Sequence, residues 1–323
     1  MDRQEPRVGF IGLGNMGWPM ARHLVEGGIA PVVLDAVPER AAAFAREIGG
    51  HAASDLPALA RAAEIIVTML PNGDVVRAVV LGDQGRPGLI DGLGKNALLV
   101  DMGSSDPRAY PEIEKVLRQH GAQMVDAPVS GAVTGAKAGT LTIMAGGDAA
   151  AIDRAMPLFR LVGKQVFRTG ALGTGQAMKA LNNLASAGAF ILTLEILLIG
   201  QRFGLDPALM TQILNVSTGR NNATDKKILP HVLSRRFDSG FTLALMAKDL
   251  TTAFGLTEAT ATPSIFAGPT LEAARAALAA LGPDADHTAI ARWLEDRVGE
   301  QLRVTPGAFV NGGGDAHNDR DRR

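Results

Sequence analysis

Apolar residues fall along this chain in two periods. Short, nearly unbroken apolar runs at Arg7–Ile11, Pro31–Leu34, Glu64–Leu70 and Ala97–Asp101 each end in glycine, proline or polar residues. Runs of this length between such breakers predict strands buried on both faces. Trp18–Glu26, stopped by Gly27-Gly28, and the alanine-rich Glu39–Ile48 have helical spacing instead. The alternation implies a parallel sheet covered by helices on both sides. Strand-like segments continue at Gln123–Val125, Thr140–Ala145 and Gln165–Phe167, and after Thr169-Gly170 the pattern changes. Gly175–Phe203 reads as one long helix without proline, followed by alanine- and leucine-rich sequence with turns at Gly204, Pro207, Gly219 and Pro230.

The expected architecture is therefore an α/β domain over residues 6–170 and an all-helical domain over 171–303, joined by the long helix. The boundary is placed near Arg168–Gly173, and the cleft between the domains is the expected active site. A chain of 323 residues is long enough for two separate cores. The tail, 304–323, with Val310-Asn311-Gly312-Gly313-Gly314 and a charged run to Arg323, has little apolar area to bury and is expected to be disordered.

Composition narrows the function. Lys plus Arg (32) and Asp plus Glu (33) nearly cancel, so no net field recommends nucleic acid or an anionic membrane, and a small-molecule substrate is expected. The absence of cysteine removes disulfides, thiolate metal sites and a cysteine nucleophile. A cytoplasmic location fits that composition, no metal is expected, and Met1–Pro6 shows no basic region leading into a cleavable apolar segment. The most apolar stretch, Leu184–Leu194, lies between Asn183 and Glu195. It is shorter than the roughly 20 apolar residues of a bilayer span and is expected to be a buried helix.

Gly12-Leu13-Gly14-Asn15-Met16-Gly17 matches G-x-G-x-x-G between a strand and a helix, the context in which this motif binds a dinucleotide. Gly12 permits the tight turn, Gly14 lets backbone approach a pyrophosphate, and Gly17 lets helix and strand pack closely. Asp35 follows the second strand, 18 residues after Gly17, where an acid can accept hydrogen bonds from the adenosine ribose. This favours NAD over NADP, although Arg40 leaves NADP open.

Three further segments carry candidate chemistry. Asp126-Ala127-Pro128-Val129-Ser130-Gly131-Ala132 reads as a tight loop whose N–H groups and serine hydroxyl suit a carboxylate. Gly173-Thr174-Gly175-Gln176-Ala177-Met178-Lys179-Ala180-Leu181-Asn182-Asn183 places Lys179 and Asn183 one turn apart on a helix. Lys248-Asp249-Leu250 puts an ion pair inside an apolar helix.

In this order the four segments resemble the β-hydroxyacid dehydrogenases, over about Val8 to Leu302. The resemblance implies a Rossmann domain plus an all-α domain of the 6-phosphogluconate dehydrogenase type. Lys179 would be the general acid/base with Asn183 beside it, while Ser130, Gly131 and the N–H of Ala132 would hold a substrate carboxylate. Leu70, Pro71, Ser104 and Lys248 would lie along the cofactor. Homodimers or homotetramers are in keeping with the family. Ala132 departs from the usual glycine and would be strained at a positive φ. Asn182 stands where 6-phosphogluconate dehydrogenases have histidine, which argues against a sugar-phosphate decarboxylase. Ser217–Asn222 lacks the tryptophan associated with 3-hydroxyisobutyrate enzymes. The implied reaction is NAD-dependent oxidation of a small 3-hydroxy acid, or its reverse. Neutral Lys179 would be favoured by burial, by Lys248 or by the cationic nicotinamide, so oxidation should accelerate with pH. The rivals are an imine reductase, which has Asp or Tyr in place of this lysine, and a dinucleotide-binding protein without turnover.

Overall fold

The computed structural model describes residues 6–304; most of the tail expected to be disordered therefore lies outside the described residues. In chain order the first elements are β1 (Val8–Ile11), α1 (Gly17–Glu26), β2 (Val32–Leu34), α2 (Pro38–Glu47), β3 (His51–Ala52), α3 (Leu56–Ala62), β4 (Ile65–Thr68), α4 (Gly73–Leu81), β5 (Leu98–Asp101) and α5 (Tyr110–Gln119). They are followed by β6 (Gln123–Asp126), β7 (Val129–Ser130), α6 (Ala132–Ala138), β8 (Leu141–Gly147), α7 (Ala149–Val162) and β9 (Gly163–Gly170). The remainder is helical: α8 (Thr174–Phe203), α9 (Pro207–Asn215), α10 (Asn222–Lys226), a π-helical turn at Ile228–Leu233, α11 (Leu243–Ala259), α12 (Ala267–Leu281) and α13 (Ile290–Val298).

The strands form one sheet of order β3-β2-β1-β4-β5-β6-β8-β7, with β9 paired to β8. From β3 to β6 every pairing is parallel, and the order reverses between β1 and β4, as in dinucleotide-binding sheets. The central strands are buried on both faces because successive side chains feed two cores. Val8, Phe10, Ile65, Val67, Leu98 and Val100 enter one; Ile11, Ile66 and Leu99 enter the other. This is the origin of the unbroken apolar runs.

The sheet is not parallel throughout, as the alternation implied. β8 runs antiparallel to β6 and β7, while β9 returns parallel to β8. After β6 the chain doubles back through β7 and the seven-residue α6 instead of crossing over through a long helix. The short strands β3 and β7 carry too few apolar residues to announce themselves.

The chain divides into two compact units. One holds residues up to Asn183 together with Asp249–Pro263; the other holds Leu184–Lys248 and the residues from Ser264 onward. In the second unit Phe190, Leu194, Leu197, Leu198, Ile228, Val232, Leu243 and Ile290 are buried, and buried Glu295 takes two hydrogen bonds from Arg235. Helix α8 is long and apolar enough to span a membrane by length and composition. Four of those buried side chains belong to it, but Leu192, Ile199 and Phe203 are exposed in the single chain, so the helix is less completely buried than its composition implied.

Candidate active site

Ile11, Thr68, Asp101 and Asp126 are level with one another at the carboxyl ends of β1, β4, β5 and β6. The segments that follow these ends carry Gly12–Gly17, Leu70-Pro71, Ser104 and Ser130–Ala132 respectively. Ligands of open α/β sheets bind at this edge, where the strand order reverses.

The turn after β1 is sterically closed except at its tip. Gly12 has φ +95°, and a Cβ there would stand 2.4 Å from the Met69 carbonyl oxygen; at Gly17 it would lie 1.8 Å from that of Gly12. At Gly14 it would meet nothing within 4 Å, and Gly14 and Asn15 are exposed while Leu13 is buried. Helix α1 has no side-chain cap and no acid in its first turn. Open space in front of an uncapped helix N-terminus fits a pyrophosphate.

Asp35 is buried, and its carboxylate accepts the N–H of Leu13 at 2.7 Å and of Val37 at 2.9 Å. Arg40 donates to it at 3.0 Å. The residue thus braces the glycine turn. A carboxylate has acceptor sites beyond these three.

Behind β5 the buried Asp101 accepts hydrogen bonds from Thr68, Ser105, Tyr110 and the N–H of Gly103. Burial nevertheless pushes its carboxyl up, and burial with the Asp101 and Asp126 charges pushes the Tyr110 phenol well up. Asp126 accepts the N–H groups of Gly173 and Gln176, both at 2.7 Å. Burial raises its carboxyl to about 6 against those bonds.

Ser130 ends β7, and Gly131 (φ +135°) and Ala132 (φ +53°) turn the chain into α6. Ala132 therefore adopts the left-handed conformation in which a side chain costs about 1–2 kcal/mol.

Lys179 and Asn183 lie one turn apart on α8, both half-buried. The Asn183 amide donates to Asp249 at 2.5 Å and its oxygen accepts from Asn182, which fixes the orientation of the amide. The other Asp249 oxygen accepts the Ser104 hydroxyl at 2.8 Å. Ser104, Asn183 and Asp249 thus converge, although they are 145 and 66 residues apart in sequence. Lys248 precedes Asp249 on α11, is half-buried and is grouped with the second unit.

Asp126, Gln176 and Asp249 stand in the candidate segments, but the sequence assigns none of them a role. Asp249 had a signal, being an acid inside an apolar helix. Asp126 and Gln176 stand within quoted segments, but their long-range partners are invisible there. Among the described residues no group of three or more acidic, histidine or cysteine side chains is arranged to hold a metal.

Residues 7–170 match the model for the NAD binding domain of 6-phosphogluconate dehydrogenase. Residues 173–294 match that for the NAD-binding region of NADP-dependent 3-hydroxyisobutyrate dehydrogenase. The chain is 36% identical over 244 residues to the 2-(hydroxymethyl)glutarate dehydrogenase of Eubacterium barkeri, covering 76% of this chain and 80% of the relative. It is 39% identical over 262 residues to the mitochondrial 3-hydroxyisobutyrate dehydrogenase of Mus musculus, covering 79% and 77%. The solved 3-hydroxyisobutyrate dehydrogenase of Mycobacterium tuberculosis with L-serine superposes with a TM-score of 0.81 at 30% identity, over 90% of this chain and 99% of that one.

Proposed function

The chain belongs to the β-hydroxyacid dehydrogenase family and is an oxidoreductase dependent on NAD or NADP; on that premise we propose that it interconverts a small 3-hydroxy acid and its semialdehyde or oxo acid, with Lys179 as general acid/base. The observation that carries this reading is the placement of Lys179 one turn before Asn183, whose amide is held by buried Asp249. The names 2-(hydroxymethyl)glutarate, 3-hydroxyisobutyrate and L-serine share one unit, a hydroxymethyl group on the carbon that bears a carboxylate. A substrate of that form, with the third substituent open, is the proposed class.

The nicotinamide dinucleotide supplies the hydride acceptor in oxidation and the donor in reduction. The turn Gly12–Gly17 would hold its pyrophosphate, Asp35 its ribose, and Leu70, Pro71, Ser104 and Lys248 would line it. Ser130, Gly131 and the N–H of Ala132 would hold the substrate carboxylate. In oxidation the Lys179 amine takes the hydroxyl proton as the C–O bond becomes a carbonyl and the carbon-bound hydrogen leaves as hydride. In reduction the Lys179 ammonium returns the proton. Asn183, its amide fixed, orients the hydroxyl. Oxidation needs the neutral amine, so its rate rises with pH; a flat profile from mildly acid to alkaline pH counts against this role.

A homo-oligomer is part of the proposal. Leu192, Ile199 and Phe203 on α8, with Leu209, Ile213 and Val216 around α9, are exposed apolar side chains of the second unit, which is the kind of surface a second copy covers.

The test is formation of NADH from 3-hydroxyisobutyrate, L-serine, glycerate, 3-hydroxypropionate and 2-(hydroxymethyl)glutarate, with NADP+ in parallel and Lys179→Ala as control. Turnover of one acid that the alanine variant loses is the expected result. Dinucleotide binding without turnover of any acid would favour the binding-protein reading.

A further inference from the structure

The leading N–H groups of helix α8 need partners from outside the helix. The Thr174 hydroxyl, the nearest side chain suited to that task, donates to the Ala171 carbonyl and pairs with Thr169. The N–H groups of Gly173 and Gln176 are taken instead by the two carboxylate oxygens of Asp126, 47 and 50 residues away. A fully buried carboxylate against two N–H groups at a helix N-terminus is a charge-assisted contact aligned with the helix dipole.

The packing leaves this carboxylate one place to be. A Cβ at Gly146, on β8, would stand 2.5 Å from one of its oxygens. At Gly175 it would stand 2.8 Å from the other oxygen and 2.2 Å from the Met144 carbonyl oxygen. A side chain at Gly146 would meet Asp126 first, and one at Gly175 would meet the Met144 carbonyl first and Asp126 next. Gln176, also buried, takes the N–H of Ser105 at 3.0 Å and donates to the Gly103 carbonyl at 2.9 Å. The first turn of α8 is therefore pinned to the end of β6 through Asp126 and to the loop after β5 through Gln176.

We propose that Asp126, assisted by Gln176, is the positioning residue of the active site, fixing the distance between the group that holds the substrate carboxylate and the group that moves the proton. Ser130 lies four residues after Asp126 along the chain, and Lys179 lies three residues after Gln176 on the helix. Both hang from one buried carboxylate. A displacement of about 1 Å between reacting groups is enough to slow a reaction by roughly 100-fold. The inference rests on the proposed roles of Ser130 and Lys179.

The test is Asp126→Asn in the full chain, which keeps the shape and one acceptor but turns an NH2 toward the second N–H. Four quantities are compared with the wild type: kcat on the best hydroxy acid, the dissociation constant of NADH, the melting temperature, and the kinetic isotope effect with substrate deuterated at the carbinol carbon. The expected result is a 10- to 100-fold lower kcat with NADH affinity within about twofold and a larger isotope effect, because hydride transfer has become the slow step. A kcat within twofold of wild type overturns the proposal. So does a loss of activity that only follows the loss of folded, NADH-binding protein with the isotope effect unchanged. If Asp126→Asn does not fold, Gln176→Ala decides: a lowered kcat with a raised isotope effect supports the proposal, and wild-type values of both overturn it. Lys179→Ala run alongside separates the two readings. If it is active, the acid–base reading falls and this inference with it; if it is inactive while Asp126→Asn behaves as wild type, this inference falls alone.

Discussion

Two turns at the same edge of the sheet place their glycines under different constraints. Around Gly12–Gly17 the backbone passes so close to itself that Gly12 and Gly17 have no room for a side chain, while Gly14, at the tip, has room to spare. Around Gly131-Ala132 the φ of +53° at Ala132 also calls for glycine, yet alanine is present. A buried aspartate stands beside each, Asp35 bonded to the first turn and Asp126 bonded to the start of α8. Asp35 accepts the Leu13 N–H and is ion-paired with Arg40, whereas Asp126 faces only N–H groups, with the buried Asp101 and Tyr110 nearby. One glycine pattern can thus hold two kinds of position. Gly12 and Gly17 are required by the fold itself, whereas Gly14 stands in open space.

The largest expected effect is that of Gly17→Ala. With a methyl group 1.8 Å from a carbonyl oxygen, helix and strand must separate, at a cost of about 4 kcal/mol or more. The check is the yield of soluble protein and its melting temperature; a variant that melts like the wild type would break the steric account of the first turn.

Next is the pH dependence at Asp126. Asp126 has a carboxyl raised to about 6 from an unfolded value near 4, so between these values the folded chain holds a proton that the unfolded chain has lost. Stability conferred by that proton is complete below about pH 4 and lost as pH rises through about 6, by up to about 3 kcal/mol. Asp126→Asn should remove this fall. Urea unfolding of both proteins from pH 4 to 7 measures it, and parallel curves would place the titration elsewhere.

Gly14→Ala should separate fold from ligand. With nothing within 4 Å of the added methyl group, the melting temperature should stay within about 1 °C, while NADH affinity falls tenfold or more, about 1.4 kcal/mol. Equal affinity in calorimetry would show that the tip does not face the dinucleotide.

The smallest effect belongs to Ala132→Gly. Relief of a left-handed alanine, about 1–2 kcal/mol, is partly offset by the greater freedom of glycine in the unfolded chain, about 0.4–1 kcal/mol. A net gain of about 1 kcal/mol or less is expected in denaturant unfolding. A loss of stability would mean that the Ala132 methyl group packs usefully enough to outweigh its backbone strain.

The features legible in the chain are local or repeated: strands announced by apolar runs, the strand–turn–helix around Gly12–Gly17, the change to helices after Thr169-Gly170, and Lys179 and Asn183 one turn apart. Each depends on residues within a few positions of one another, where steric rules and helical or strand periodicity act directly. The tertiary structure alone decided what is distant in the chain. It brought Asp249 to Asn183 and Ser104, sent Asp126 to cap a helix that starts 48 residues later, turned β8 antiparallel, and returned Asp249–Pro263 to the first unit. A buried carboxylate must find partners wherever the packing supplies N–H and O–H groups, and nothing in the residues beside it in sequence says where those will be.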